Sequence, residues 1–241
     1  VTMGKPQKLY LRGLTLDTYT GSGWTAAEAA QRSQSGDLFY WLHERGFYGQ
    51  SQISLASSQV QAQSPWQLEI TCLSSACRGH AYLPYALCQT QALDARAIGD
   101  ATQRTPITTM TCLEGSLPQW YAVQNALSQN QSELQDYLAC ESAYRAWVQE
   151  TDLQLTSESF EVLQRQLGAQ GESLTLPEIL TRIRSCLSSQ LRYDETVYTP
   201  LGGDDFLHYT LERSGAGYSV QYATAAALML RYYGVPSRYV E

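Results

Sequence analysis

Residues 214–241 read SGAGYSVQYATAAALMLRYYGVPSRYVE. A glycine-bearing turn runs into Tyr218-Ser219, an Ala-rich apolar stretch follows, and Gly234-Val235-Pro236 closes it. A glycine just past a run ends a helix and a following proline cannot continue one, so the stretch predicts a helix from near Ser219 to about Tyr233. That helix is apolar on nearly every side and is therefore expected to be buried. Ser219 at its start has two readings. It serves as an N-cap, for which serine is among the best residues, or it stands where a nucleophile would. The first amides of a helix lack intrahelical partners and its dipole is positive there. A thiol in that place ionises more easily, and a developing oxyanion can be held. A serine hydroxyl gains less, because it needs a base beside it.

Working back from this stretch, helix signals continue. Thr175-Leu176-Pro177-Glu178 is a capping box with an early proline, followed by the stripe Ile179, Leu180, Ile183, Leu187 and Leu191, which predicts a helix over 176–192. A short helix is expected over 157–167, ending before Gly168. From about Ser132, the residues Leu134, Tyr137, Leu138, Tyr144, Trp147 and Val148 fall on one helical face. TPLGGDD at 199–205 reads as a loop, with Asp204 and Asp205 capping or turning it. A metal site from these two and Glu212 fits no ligand spacing pattern, and no metal is expected.

The first third reads as β. In KLYLRGLTLDTYTGSGW (8–24), Leu9 and Leu11 alternate with polar neighbours, and the phase changes after Gly13 to Leu14 and Leu16. TGSG at 20–23 is a turn, from which Trp24 is expected to pack back onto the sheet. Trp66 to Cys72 alternates cleanly, and AYLPYAL at 81–87 is a further strand whose Pro84 suggests an edge. Residues 89–125 are weakly patterned. The chain is accordingly expected to be α+β, with a β-rich N-terminal domain over 1–128 and a helical region over 129–241.

Composition narrows the function classes. Apolar residues make up 44% and charged residues 16%, which is globular rather than disordered. The net charge of −7 and the lack of a basic stripe argue against nucleic-acid binding. No apolar run approaches a membrane span; the richest, Tyr222 to Tyr233, is short and contains Arg231. The chain opens on Val1 without a leader and closes on Tyr239-Val240-Glu241, so it is read as a piece of a longer protein with its last strand cut short. Six cysteines form no CxxC pair, which disfavours a zinc ribbon. Most read as buried thiols, with one bridge expected among Cys72, Cys77, Cys88 and Cys112 if the compartment oxidises.

The closing stretch resembles the core motif of the transglutaminase-like superfamily, which shares a papain-like architecture with cysteine proteases. The family pattern of Gly-aromatic-Cys, an aromatic-Ala pair, a helix and Arg-x-x-Gly-[Ile/Val]-Pro-[Ala/Ser]-Arg-Tyr-Val falls on Gly217-Tyr218-Ser219, Tyr222-Ala223 and Arg231 to Val240. Asp204-Asp205-Phe206-Leu207 and the helix 176–192 followed by RYDET are similar to the family's preceding steps. YLRGLTLDTYTGSGW and AYLPY are similar to the N-terminal β segment of bacterial membrane-anchored transglutaminase-like proteins. The resemblance implies that 129–241 holds the N-terminal half of a papain-like core, truncated before its closing sheet. It implies an extracytoplasmic domain of a membrane-anchored parent, a cysteine acyltransferase or peptidase acting on amide bonds of a protein or peptide substrate, without a cofactor.

Two departures qualify that implication. Ser219 stands at the catalytic Cys position. The family's His and Asp follow the Cys in chain order, whereas His43, His80 and His208 all precede Ser219. The chain is therefore expected to be inactive in acyl transfer. Ser219 is either a silenced nucleophile or the mark of a natural pseudoenzyme that binds peptide, cell wall or another protein; a purely structural ectodomain is a third reading. Tyr218 and Gly217 are candidate substrate-binding neighbours. Tyr222, Ala223, Ala227, Leu228 and Leu230 are expected in the core, Arg231 and Arg238 are expected to be held by structural pairs or carbonyls, with the lining of a groove as the alternative for Arg238, and His208 is expected at the surface or satisfied.

Overall fold

The computed structural model describes residues 2–3, 9–26, 35–47, 49, 65–71, 82–84, 87–90, 107–113, 128–129, 135–170, 173–197 and 203–240. In chain order the elements are β1 (Thr2–Met3), β2 (Leu11–Arg12), β3 (Thr15–Leu16), β4 (Thr18–Tyr19), β5 (Trp24–Thr25), α1 (Gly36–Glu44), β6 (Pro65–Thr71), β7 (Leu83–Pro84), β8 (Leu87–Thr90) and β9 (Ile107–Leu113). They continue with α2 (Gln135–Thr151), α3 (Ser157–Leu167), α4 (Leu176–Gln190), β10 (Arg192–Tyr193), α5 (Phe206–His208), a π-helical turn (Tyr209–Ser214), β11 (Ala216–Gly217), α6 (Ser219–Tyr232) and β12 (Tyr239–Val240). The fold is α+β. The residues divide into two compact units, one of 1–15, 29–145 and 240–241, the other of 16–28 and 146–239.

In the first unit, β6 lies between β1 and β9, and β8 flanks β9, all antiparallel. The alternation read at 66–72 is visible in β6, where Leu68 is fully buried and Gln67 exposed. Of the expected strand 81–87, Leu83–Pro84 form β7 and Leu87 opens β8, while 81 and 85–86 lie outside the described residues. Pro84 pairs with Leu11 in the two-stranded β2–β7 ladder, an edge position where its missing N–H is tolerated. β9 lies inside the stretch that carried no clear pattern; its apolar residues Ile107, Met110, Cys112 and Leu113 do not keep a period of two. Leu42, Phe47 and Cys140 form a small core, with Phe47 against Tyr137 and Tyr144 at 5.8 Å between ring centroids in each pair. Of the four cysteines considered for a bridge, Cys72 and Cys77 lie outside the described residues, and Cys88 and Cys112 sit on the neighbouring strands β8 and β9.

The second unit is built on helices whose ends the sequence announces. α3 is capped by Thr156, whose side chain accepts the Ser159 amide, and it ends at Gly168 with φ of 82°. In α4 the Glu178 carboxylate accepts the Thr175 amide at 2.8 Å, and Pro177 stands in the first turn. Ile179, Ile183, Leu187 and Leu191 face the core, but Leu180 is 43% exposed and lies off the stripe. The core joins these residues to Val162, Leu163, Phe206, Leu207, Leu211, Leu228, Met229 and Tyr232. The β4–β5 hairpin adds Tyr19 to it. Trp24, expected on a sheet, packs instead on α6: its indole N–H donates to Thr224 Oγ1 at 3.1 Å and its ring stacks on Tyr239. An indole buried against a helix needs an acceptor, and Thr224 supplies it.

Candidate functional site

The approach to Ser219 is fixed by a parallel pair of strands. β10 follows α4 and pairs with β11 in the register Arg192↔Ala216 and Tyr193↔Gly217. The Arg192 amide donates to Gly215 O and the Asp194 amide to Gly217 O, each at 2.9 Å. β11 then hands the chain to α6 through Tyr218, which is extended (φ −119°, ψ −159°) and is the N-cap. Ser219 is therefore the first helical residue and not the cap, which corrects the simple capping reading. The capping function passes to the third helical residue: Gln221 Oε1 accepts the Tyr218 amide at 3.1 Å. This is the back-reaching half of a capping box, and a glutamine two residues after Ser219 was the sequence signal for it.

Gln221 is 2% exposed, and it explains Gly217. A Cβ on Gly217 would stand 2.5 Å from Gln221 Cβ and 2.8 Å from its Cγ. Only glycine lets β11 pass so close to the first turn of α6. Ser219 itself is exposed and its hydroxyl makes no side-chain hydrogen bond among the described residues. The amides of its turn point outward from the end of a 14-residue helix. Tyr218 is half-buried.

α6 is held hard behind this end. Ala225, Ala227, Leu228 and Met229 are buried, whereas Ala223, expected in the core, is exposed one turn beyond Ser219, and Tyr222 and Leu230 are half-buried. Tyr222 donates its hydroxyl to Leu191 O at 2.8 Å and so ties α6 to the end of α4. Arg231 is 3% exposed and donates to the carbonyls of Gln154, Asp17 and Ser237, at 2.8, 2.5 and 2.7 Å. Its guanidinium also lies over the Trp24 ring, 5.0 Å from the centroid. Burial draws its pKa down, but an arginine keeps its charge. Arg238 Nε meets Asp152 Oδ2 at 2.6 Å. Asp152 is 3% exposed; burial raises its carboxyl above the ordinary range while Arg238 and the Thr151 hydroxyl pull it back. Both arginines thus serve carbonyls and a carboxylate, as the sequence suggested.

The acidic residues before the helix are also committed. Asp205 caps α5, accepting the Leu207 and His208 amides at 2.9 and 3.2 Å. The same buried carboxylate accepts the hydroxyls of Tyr19 and Ser159, each at 3.1 Å. Asp204 pairs with Arg213 at 3.0 Å. His208 lies between Glu158 and Glu212, 3.2 Å from each, and Arg165 grips Glu212 through two bonds of 2.9 Å. Both ring nitrogens of His208 thus meet carboxylates, as expected of a satisfied histidine. No group of three or more His, Cys, Asp or Glu side chains among the described residues is placed to hold a metal.

Residues 162–241 match the transglutaminase-like superfamily. No curated protein matches the chain. Two crystal structures of the periplasmic domain of TgpA from Pseudomonas aeruginosa are similar in fold. One, bound to ethylmercury, is 16% identical with a TM-score of 0.50, covering 98% of this chain and 72% of that one. The other is 15% identical with a TM-score of 0.51, covering 98% and 70%. Among the described residues no helix is long and apolar enough to cross a membrane. Residues 162–241 thus match the model of a transglutaminase-like core, and the chain has a fold like that of the TgpA periplasmic domain.

Proposed function

We propose that this chain is the extracytoplasmic transglutaminase-like domain of a membrane-anchored protein, with Ser219 at the nucleophile position of a cysteine acyltransferase or peptidase lineage. The observation that carries this reading is the exposed, unbonded Ser219 as first residue of α6, delivered there by a strand pair and a glycine that admits no side chain. Support for the location comes from the fold likeness to a periplasmic domain. Gly217 and Tyr218 are the neighbours of Ser219 through which a protein or peptide substrate would be positioned, Gly217 by its close approach to α6 and Tyr218 by its half-buried side chain.

In the parent chemistry a thiolate at this position attacks an amide carbonyl, the C–S bond forms as the C–N bond breaks, and ammonia or an amine leaves with a proton from a general acid. The acyl group then passes to an amine or to water. Among the described residues no hydrogen bond brings a base to the Ser219 hydroxyl, and a serine without a base does not reach the alkoxide, which supports reading this chain as inactive in acyl transfer. The alternative is a pseudoenzyme whose exposed strip at Ser219 and Ala223 binds peptide without chemistry.

The test is Ser219→Cys in the full-length gene product, incubated with a glutamine-containing peptide and read by intact mass. The expected result is an adduct of the peptide less ammonia on residue 219. Noncovalent peptide binding without that adduct would favour the pseudoenzyme, and the absence of both would overturn the reading of this site.

A further inference from the structure

Tyr193 is 62% exposed, and the sequence marked it only as part of RYDET, with no role of its own. Exposure alone decides little, since Tyr40 is 67% exposed. What sets Tyr193 apart is its register. It stands directly beside Gly217, two residues before Ser219, and the bonds at Arg192 and Asp194 lock that register on both sides. Neighbouring strands lie about 4.8 Å apart, and paired residues in a parallel ladder project to the same face. The face of Gly217 is the one that meets Gln221 and the first turn of α6. Tyr193 therefore stands on the face from which α6 begins, beside Gly217, where Gln221 takes the room a side chain would need. Its ring is also held: the hydroxyl donates to Glu195 Oε1 at 2.7 Å, in the turn that follows β10. An exposed aromatic fixed in orientation presents its surface at little conformational cost.

We infer that Tyr193 is a specificity-determining wall of the site at Ser219, and that it selects acyl donors carrying an apolar or aromatic group beside the reacting carbonyl. This rests on the placement of Ser219 at the nucleophile position. Tyr193, Ser219 and Ala223 are each exposed, and in this inference the acyl chain lies across the Tyr193 ring with its carbonyl at residue 219.

The test uses the chain with Ser219→Cys and two activated esters, p-nitrophenyl acetate and p-nitrophenyl 3-phenylpropionate. The thiolate attacks the ester carbonyl, the C–S bond forms, the acyl C–O bond breaks and p-nitrophenolate leaves, so one burst per chain beyond that of the Ser219 parent, whose six cysteines set the background, is counted in the visible. The preference for the aromatic ester should exceed that of N-acetylcysteine by about fivefold, the scale of one aromatic contact. Adding Tyr193→Ala should bring the preference down to the free-thiol value, and adding Tyr193→Phe should retain it. Alkylation of the thiol introduced at position 219 by iodoacetamide should be equal in all three. An unchanged preference with Tyr193→Ala, with the introduced thiol still acylated faster than N-acetylcysteine, overturns the role of Tyr193 and leaves the site standing. Acylation no faster than N-acetylcysteine with either ester, together with ordinary iodoacetamide reactivity, removes the site and this inference with it.

Discussion

Replacement of Asp205 tests how the second unit is tied together. Its carboxylate is 5% exposed and accepts two amides of α5, the Tyr19 hydroxyl from the β4–β5 hairpin and the Ser159 hydroxyl from α3. Asp205→Ala removes an N-cap, worth about 1 kcal/mol and at most about 2. It also strips a charged acceptor from two hydroxyls, worth about 1.5–3 kcal/mol each if nothing replaced it. The Tyr19 hydroxyl has a second acceptor in Gly21 O at 3.1 Å, and the Ser159 hydroxyl, which accepts from Thr156 Oγ1 at 2.8 Å, can turn to donate to that oxygen instead, so about 1 kcal/mol each is the better figure. The sum is about 3–5 kcal/mol. Asp205→Asn keeps one acceptor oxygen for the amides and Tyr19, and its NH2 can donate to the Ser159 and Thr156 hydroxyls; its loss should be about 1–2 kcal/mol. Urea unfolding followed by circular dichroism measures both, and in thermal unfolding the alanine variant should melt about 8–15 °C lower. An alanine variant within about 1 kcal/mol of the parent, or an asparagine variant as unstable as the alanine one, would refute this account of Asp205.

Other perturbations follow from the same geometry. Gly217→Ala places a Cβ 2.5 Å from Gln221 Cβ, so β11 or α6 must shift; a loss of about 1–3 kcal/mol is expected in urea unfolding. Arg238→Met leaves Asp152 buried without its cation, at a cost of about 3–5 kcal/mol at neutral pH. Burial already raises this carboxyl above its usual 3.8, and the folded state then binds the proton more tightly than the unfolded one. The deficit of Arg238→Met should therefore shrink as pH falls through the raised folded value, and a deficit that grows on acidification would count against it. Tyr19 is pushed well above its ordinary 10.0, first by burial and then by Asp205. Its contribution is complete below 10.0 and is lost as pH rises beyond it, so Tyr19→Phe should flatten the alkaline fall in stability.

What the sequence disclosed was local. The end of α3 at Gly168, the capping box of α4 and the stop of α6 at Gly234, where φ is 75°, are each written within a few residues. The roles of Arg231 and Arg238 were legible because cations so close to an apolar helix must be matched. Contacts distant in sequence were not legible. Trp24 finds Thr224 and Tyr19 finds Asp205 across about two hundred residues, and no local pattern announces which helix a hairpin will cover. The site was half visible. Ser219 was placed near the helix start by motif and periodicity, but the transfer of the cap to Tyr218 and Gln221 depends on a single bond. Tyr193 enters only through strand register, which two-residue strands do not encode.

The central claim, that position 219 is built for a nucleophile, is tested most directly by the thiol pKa of Ser219→Cys, taken from the pH dependence of its iodoacetamide alkylation. Ala223→Cys is the control, exposed on the same helix one turn farther from its N-terminus. Unpaired amides and the helix dipole favour a thiolate at the first position and fade within a turn. The thiol of Ser219→Cys should titrate at least about one unit below the ordinary value of about 8.5, and that of Ala223→Cys near that value. Equal pKa values at the two positions, or a thiol at position 219 titrating at or above about 8.5, would contradict it.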